Sequence, residues 1–191
     1  MQETKMYLDR ILYPVTALGP GNRVAIWVAG CNRKCKGCAN PELWIKHPEQ
    51  EISPEKVAIY INGIAERGID GITLTGGEPF DQAKELLQLI DTLDSDLEVL
   101  AFSGYKIDEL RSDREKKQLL DKVDVLIDGE YIDSLNDGVS ALKGSTNQKI
   151  HILNDEVRDE YEHYISEGRK IQNFVYEYKT LSVGIHNSTR K

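Results

Sequence analysis

The stretch Val24-Ala25-Ile26-Trp27-Val28-Ala29-Gly30-Cys31-Asn32-Arg33-Lys34-Cys35-Lys36-Gly37-Cys38 joins a β-prone apolar run to a loop that holds every cysteine of the chain. Cys31, Cys35 and Cys38 fall within eight residues in the spacing C-x3-C-x2-C, so their side chains can converge on one inorganic centre. An odd count in one tight loop cannot complete a disulfide framework. No secretory pattern precedes the loop, and a metal or iron–sulfur site in a reducing compartment is the better reading. A [4Fe-4S] cube bound by three thiolates keeps one of its four irons open. An open position distinguishes a reactive metal centre from a structural one. The alternative is a zinc knuckle completed by His47, nine residues after Cys38, but zinc sites usually pair their ligands more closely. Arg33, Lys34 and Lys36 lie between and beside the ligands, where cations would depress thiolate pKa values and offset cluster charge, or simply form a solvated basic loop.

Outside this loop, composition narrows the choices. The chain has 191 residues, 40% of them apolar, enough to bury the core of a single folding unit, and 1–191 is read as one domain. Its 32 acidic and 24 basic residues give a net charge of −8 with no basic stripe beyond the cysteine loop, which argues against nucleic acid as the main partner. The longest fully apolar stretch, Val24 to Ala29, is six residues, far short of a membrane span. The N-terminus lacks a signal-peptide pattern. A soluble cytoplasmic protein without a membrane partner is expected.

Downstream, strands and helices alternate. Ser53-Pro54-Glu55 has the order of an N-cap, a first-turn proline and a first-turn acid, and Val57, Ile61, Ile64 and Ala65 continue at helical spacing toward a stop at Gly68. Gly71 to Thr75 reads as a strand, and Ala83, Leu86, Leu87 and Ile90 mark a second helix. Leu97 to Phe102 reads as a strand, Asp113 to Lys122 as a polar helix and Val123 to Ile127 as a further strand. That alternation predicts an α/β fold with a parallel sheet, as an open sheet or a partial barrel, and right-handed crossovers. In such folds the reactive site lies at the carboxyl ends of the strands. Four strand ends then share one rim: the cysteine loop, Gly76-Gly77-Glu78-Pro79, Ser103-Gly104-Tyr105 and Asp128-Gly129-Glu130. Each alone is an ordinary turn or cap, but their common position beside a metal loop is not expected of independent turns.

The cysteine loop through Trp44, together with Gly76-Gly77-Glu78-Pro79, resembles the radical S-adenosylmethionine (SAM) superfamily, and within it the small glycyl-radical activating enzymes of the anaerobic ribonucleotide reductase type. Phe102-Ser103-Gly104-Tyr105, Val125-Leu126-Ile127-Asp128-Gly129 and Lys143-Gly144-Ser145-Thr146-Asn147-Gln148 follow in the family's order, so the likeness spans about residues 20 to 152. It implies a partial (β/α)6-type barrel with helices outside. It also implies a [4Fe-4S] cluster on Cys31, Cys35 and Cys38 whose open iron chelates SAM. Gly76 and Gly77, lacking Cβ, would let backbone approach that ligand. Glu78 would accept from the methionyl ammonium in a charge-assisted hydrogen bond. Gly37 and Ala39 flank Cys38 where the family places backbone contacts to adenine, and Ser103 and Asp128 stand where polar groups meet the carboxylate or ribose. A glycyl-radical protein would be the substrate, and a flavodoxin-like or other low-potential carrier the reductant.

Two features depart from the wider family. Pyruvate formate-lyase activators carry a lysine two residues after the aspartate of the fourth strand, where this chain has Glu130, which favours the ribonucleotide-reductase branch. Beyond Leu153 an extension offers a helix, Asp155 to Glu167, and strand-like Ile171 to Tyr178 and Leu181 to Ile185. It is expected to complete the sheet edge or to form a partner surface, and with Leu18-Gly19-Pro20-Gly21 it suggests a stand-alone relative whose partner need not be the reductase. His151 reads as structural, His163 and His186 have no partner pattern, Trp44 reads as a loop anchor, and Tyr105 as a relay has little support. The competing functions are another radical SAM reaction, on a peptide or small metabolite, and a non-enzymatic zinc module. With no spare cysteine, a maturase with an auxiliary cluster is excluded.

Overall fold

Every residue of the strand Arg23–Val28 is buried, because apolar side chains leave both of its faces. Val24, Ile26 and Val28 enter one core and Ala25 and Trp27 another, the continuous burial expected of a strand covered on both sides. The computed structural model describes residues 4–65 and 67–186. In chain order the elements are β1 Met6–Val15, β2 Arg23–Val28, β3 Glu51–Ile52, α1 Pro54–Ala65, β4 Gly71–Gly76, α2 Ala83–Asp91 and β5 Glu98–Phe102. Then come α3 Ile107–Ser112, α4 Arg114–Leu120, β6 Val125–Asp128, β7 Lys149–Ile152, α5 Arg158–Ser166, β8 Ile171–Tyr176 and β9 Lys179–Gly184.

The main sheet is open, in the order β3-β1-β2-β4-β5-β6-β7. β2, β4, β5 and β6 run parallel, as the alternating pattern predicts. The parallel run holds four strands rather than the six of the barrel type, and antiparallel strands close both sides: β1 and β3 beside β2, β7 beside β6. β1 is not evident in the sequence because two register shifts, between Leu8 and Arg10 and between Leu12 and Val15, break its alternation. α1 through α4 cover one face, where Val57, Ile61, Leu86, Leu89, Leu110 and Leu119 meet Ile72, Leu74 and Val99. Asp113 caps α4 by accepting from the Glu115 and Lys116 amides at 3.0 Å.

The C-terminal extension does not lengthen the seven-stranded sheet. β7 occupies that edge, and the extension folds onto the opposite face. Tyr161 and Tyr164 of α5 pack with Leu100, Val125, Ile127 and Leu142, while Val183, Phe174 and Leu181 of the separate β8–β9 hairpin pack on Ala25 and Trp27. Arg169 fastens this layer to the β6–β7 connection by donating to the carbonyls of Ser140, Lys143 and His186. Among the described residues no helix is long and apolar enough to cross a membrane.

At the amino ends of the parallel strands, away from the cysteine loop, Arg23 is 1% exposed and pairs with Glu98. Arg23 Nε donates to Thr73 Oγ1 at 2.7 Å and Nη2 to Ile72 O at 2.6 Å, while Tyr161 donates to Glu98 Oε1 at 2.7 Å. Burial pushes the Glu98 carboxyl up and Arg23 draws it back. Removing one member of a buried pair strands the other charge. Arg23→Ala is therefore expected to lower the unfolding free energy by about 3–5 kcal/mol in urea titrations. A loss below about 1 kcal/mol, the range of an exposed pair, would contradict this account of the closed end.

Candidate metal centre

Two loops are built against each other at the carboxyl rim. Gly77 N donates to Val28 O at 2.7 Å and Glu78 N to Gly30 O at 2.9 Å, while Gly30 N and Cys31 N donate to Leu43 O and Trp44 O at 2.7 and 3.2 Å. Gly76 has φ +104, and a Cβ there would lie 2.6 Å from Val28 N and O. A Cβ on Gly77 would run into the Gly30 carbonyl. Both glycines are thus required where the β4 turn passes over the start of the cysteine loop.

Cys38 N donates to Cys35 O at 3.1 Å, and Gly37 between them has φ +79. A Cβ at Gly37 would also approach Asp133 to 3.1 Å, so a glycine suits this turn in both conformation and space. All three cysteines are free and partly exposed. Burial pushes the Cys31 thiol up, against hydrogen bonds from the Lys34 and Arg33 backbone, with Glu78 and Cys38 adding to the rise. Burial also raises Cys35, opposed by the Tyr131 backbone and reinforced by Glu130, Cys31 and Cys38. The expected depression by Arg33, Lys34 and Lys36 is absent at Cys31 and Cys35. Arg33 turns to Glu109 at 3.2 Å and lies 3.9 Å from the Tyr105 ring centroid, while Lys34 and Lys36 are exposed.

The thiols of one loop feel one another electrostatically, which fits a shared centre. Among the described residues no three of His, Cys, Asp and Glu close on a point as a single ion would need. Three thiols offered by one loop are the donor chemistry of an iron–sulfur cluster. His47 is exposed at the start of the 3-10 turn Pro48–Gln50. Trp44 and Cys31 share the wall of an open cavity of about 510 Å³ with Lys46, Asp81 and Lys84, and Trp44 Nε1 is buried without a partner.

Glu78, Ser103 and Gly104 meet beside this loop. Glu78 is 1% exposed. Its Oε1 accepts from Phe80 N at 3.1 Å and Ser103 Oγ at 2.9 Å, and its Oε2 accepts from Gly104 N at 2.7 Å. Burial nevertheless pushes its carboxyl up to about 7. Ser103 Oγ in turn accepts from Tyr105 N at 3.0 Å. Asp128 Oδ2 accepts from Ile107 N at 2.8 Å, and His151 Nε2 stands 3.0 Å from the same oxygen without hydrogen-bond alignment. His151 thus belongs to the β6–β7 pairing rather than to the cysteine loop. Ala39 and Glu130 are exposed. Asp81 was missed by the sequence reading, and the place of Tyr105 differs from a relay. Tyr105 donates to Asp81 Oδ1 at 2.7 Å and Asn32 Nδ2 to Asp81 Oδ2 at 3.3 Å, so these residues moor the cysteine loop to the turns after β4 and β5. Nothing in the spacing of Asp81 announces this.

The buried carboxyl gives a pH dependence of definite sign. Glu78 titrates higher in the folded chain than its ordinary 4.5, so its contribution to stability is complete below about pH 4.5 and is lost as pH rises through about 7. In metal-free protein, the unfolding free energy of wild type relative to Glu78→Gln is expected to fall by about 3 kcal/mol between pH 4.5 and 8. A difference that stays flat across this range would contradict the assignment.

The family described as a 4Fe-4S single cluster domain matches residues 17–151, which contain all four strand ends. The anaerobic ribonucleoside-triphosphate reductase-activating protein of Escherichia coli K12 is 32% identical over 149 residues, covering 74% of this chain and 96% of that protein. Proteins of the same name from Vibrio cholerae serotype O1 and Enterobacteria phage T4 are 33% and 31% identical, covering 73% and 76% of this chain and 94% and 93% of theirs. QueE from Escherichia coli, a solved structure, superposes with a TM-score of 0.45 and 19% identity over 52% of this chain and 53% of that one. With a cysteine loop of cluster-binding type on the rim and matches that run nearly the full length of these relatives, the chain belongs to the 4Fe-4S family of anaerobic ribonucleoside-triphosphate reductase-activating proteins.

Proposed function

We propose that the protein is a radical SAM activase that binds SAM at a [4Fe-4S] cluster on Cys31, Cys35 and Cys38 and installs a glycyl radical on a large partner enzyme of the anaerobic ribonucleoside-triphosphate reductase kind. The observation that carries this reading is the meeting of the cysteine loop with Gly77 and Glu78, joined by the 2.9 Å contact between Glu78 N and Gly30 O. When bound on Cys31, Cys35 and Cys38, the cluster would supply the one electron for reductive cleavage of SAM, chemistry that would end in hydrogen abstraction from the substrate.

The chain's own residues orient and shield. A carboxylate offers about four lone-pair sites, and three of those on Glu78 are taken by Phe80, Ser103 and Gly104. One site on Oε2 is left for the methionyl ammonium, and an ammonium there would hold Glu78 ionised. Ser103 and Asp128 hold the turn after β5 by accepting from Tyr105 N and Ile107 N, and their remaining lone pairs can accept from the ribose hydroxyls. The exposed backbone of Gly37 and Ala39 serves the adenine, and Gly76 and Gly77 keep the two loops close beneath it. Trp44 walls the cluster loop on the side of Cys31. α5 and the β8–β9 hairpin cover the sheet face opposite α1–α4, so a protein loop reaches the site from the rim. Both lie beyond the matched residues 17–151 and add surface that a partner can meet. The reductant is a flavodoxin-like or other low-potential carrier, and the setting is the anaerobic cytoplasm.

The test is 5′-deoxyadenosine formation by anaerobically reconstituted, dithionite-reduced protein given SAM and anaerobic reductase, with a glycyl-radical EPR signal read on the reductase. Wild type is expected to give both and Cys35→Ala neither. An intact cluster with no 5′-deoxyadenosine in the presence of the partner would overturn the reading. Cleavage without a signal on the reductase would place the chain with radical SAM enzymes acting on another peptide or a metabolite.

A further inference from the structure

We propose that Gln82 is a positioning residue for the ligand Cys31, an inference that rests on the cluster reading above. Gln82 ends the 3-10 turn Pro79–Gln82, four residues after Glu78, and is 3% exposed. Its side-chain amide is fully used. Oε1 accepts from Tyr7 N at 2.6 Å, and Nε2 donates to Tyr7 O at 3.1 Å and to Ala29 O at 3.0 Å. The amide thus stands in for a peptide unit at the rim end of the β1–β2 pairing, where Leu8 faces Val28 and Ala29 N donates to Tyr7 O at 2.9 Å. One side chain ties together β1, the start of the cysteine loop and the turn after β4.

The consequence lies in the two peptide planes that lead to Cys31. In the plane joining Ala29 and Gly30, the oxygen is held by Gln82 and the N–H by Leu43 O at 2.7 Å. In the plane joining Gly30 and Cys31, the oxygen is held by Glu78 N at 2.9 Å and the N–H by Trp44 O at 3.2 Å. Two planes pinned at both ends fix the N–Cα bond of Cys31, the axis about which its Cβ turns. Gly30 between them has φ +99, a conformation open to glycine, so without these bonds the segment has many other states. Three of the four restraints come from backbone, and Gln82 is the one supplied by a side chain. Groups that orient a metal ligand from behind typically change metal affinity by about 10- to 100-fold when removed.

The experiment compares wild type, Gln82→Met and Gln82→Glu after anaerobic reconstitution, reading iron retention against a chelator and the g-values of the reduced cluster. Gln82→Met keeps the volume and loses all three bonds. Gln82→Glu, assayed at about pH 9 so that a carboxyl raised by burial as Glu78 is is ionised, keeps an acceptor for Tyr7 N and loses the donor to Ala29 O, so it separates attachment of β1 from orientation of the loop. Both variants are expected to release iron about 10- to 100-fold more readily and to show altered g-values. Tyr161→Phe, which loses a bond to Glu98 at the far end of the sheet, controls for destabilisation alone and is expected to keep the wild-type spectrum. If Gln82→Met does not fold, Gln82→Glu decides. Wild-type retention and g-values in Gln82→Glu would overturn the proposal. A wild-type protein that takes up no cluster would instead overturn the proposed function, and this inference with it.

Discussion

No side chain fits between Gly77 and the carbonyl of Gly30, and the site depends on that constraint. Because both partners at the crossing are glycine, the turn after β4 lies directly on the start of the cysteine loop and exchanges backbone hydrogen bonds with it. The same contact seats Glu78 under Gly104 and Ser103, which brings the turn after β5 into the arrangement. A metal-binding loop made only of exposed backbone would carry many conformations into the bound state. Here its first two peptide planes are held by hydrogen bonds at both ends, so the loop has less conformational freedom to lose when it binds a ligand.

Polar burial is concentrated at the two ends of the parallel strands, with different consequences. At the amino end Arg23 and Glu98 neutralise each other within a shell of hydrogen bonds, and the arrangement is structural. At the carboxyl end Glu78 is buried with three neutral hydrogen-bond donors, the Arg33 guanidinium acts on it without forming an ion pair, and its carboxyl rises to about 7. A buried carboxylate whose hydrogen bonds all come from neutral donors has a place for a cation in direct contact. The methionyl ammonium of SAM is the cation that the proposed function supplies.

Much of the site was legible in the sequence, because cysteine spacing and strand-end position are local signals. C-x3-C-x2-C needs no tertiary context, and the β-prone runs at 24–28, 71–75, 97–102 and 123–127 each hold a strand of the parallel part of the sheet. The antiparallel flank was not legible. β1 is interrupted by bulges and charged residues, β3 has two residues, and β7 is four residues with His151 among them. The extension was read correctly as helix and strands, but its docking on the sheet face depends on Tyr161, Tyr164, Phe174 and Val183 meeting residues distant in sequence, such as Leu100 and Trp27. Gln82 escaped for a similar reason. A glutamine in a turn carries no mark of its role until Tyr7 and Ala29 are brought beside it.

The central claim is that three cysteines hold a cluster with one iron left open beside Gly77 and Glu78. Mössbauer spectroscopy of ⁵⁷Fe-reconstituted protein, recorded with and without SAM, tests it most directly. The account predicts that SAM changes the signal of one iron of the four and leaves the others nearly as they were. Four irons that respond alike, or a spectrum unchanged by saturating SAM, would contradict it.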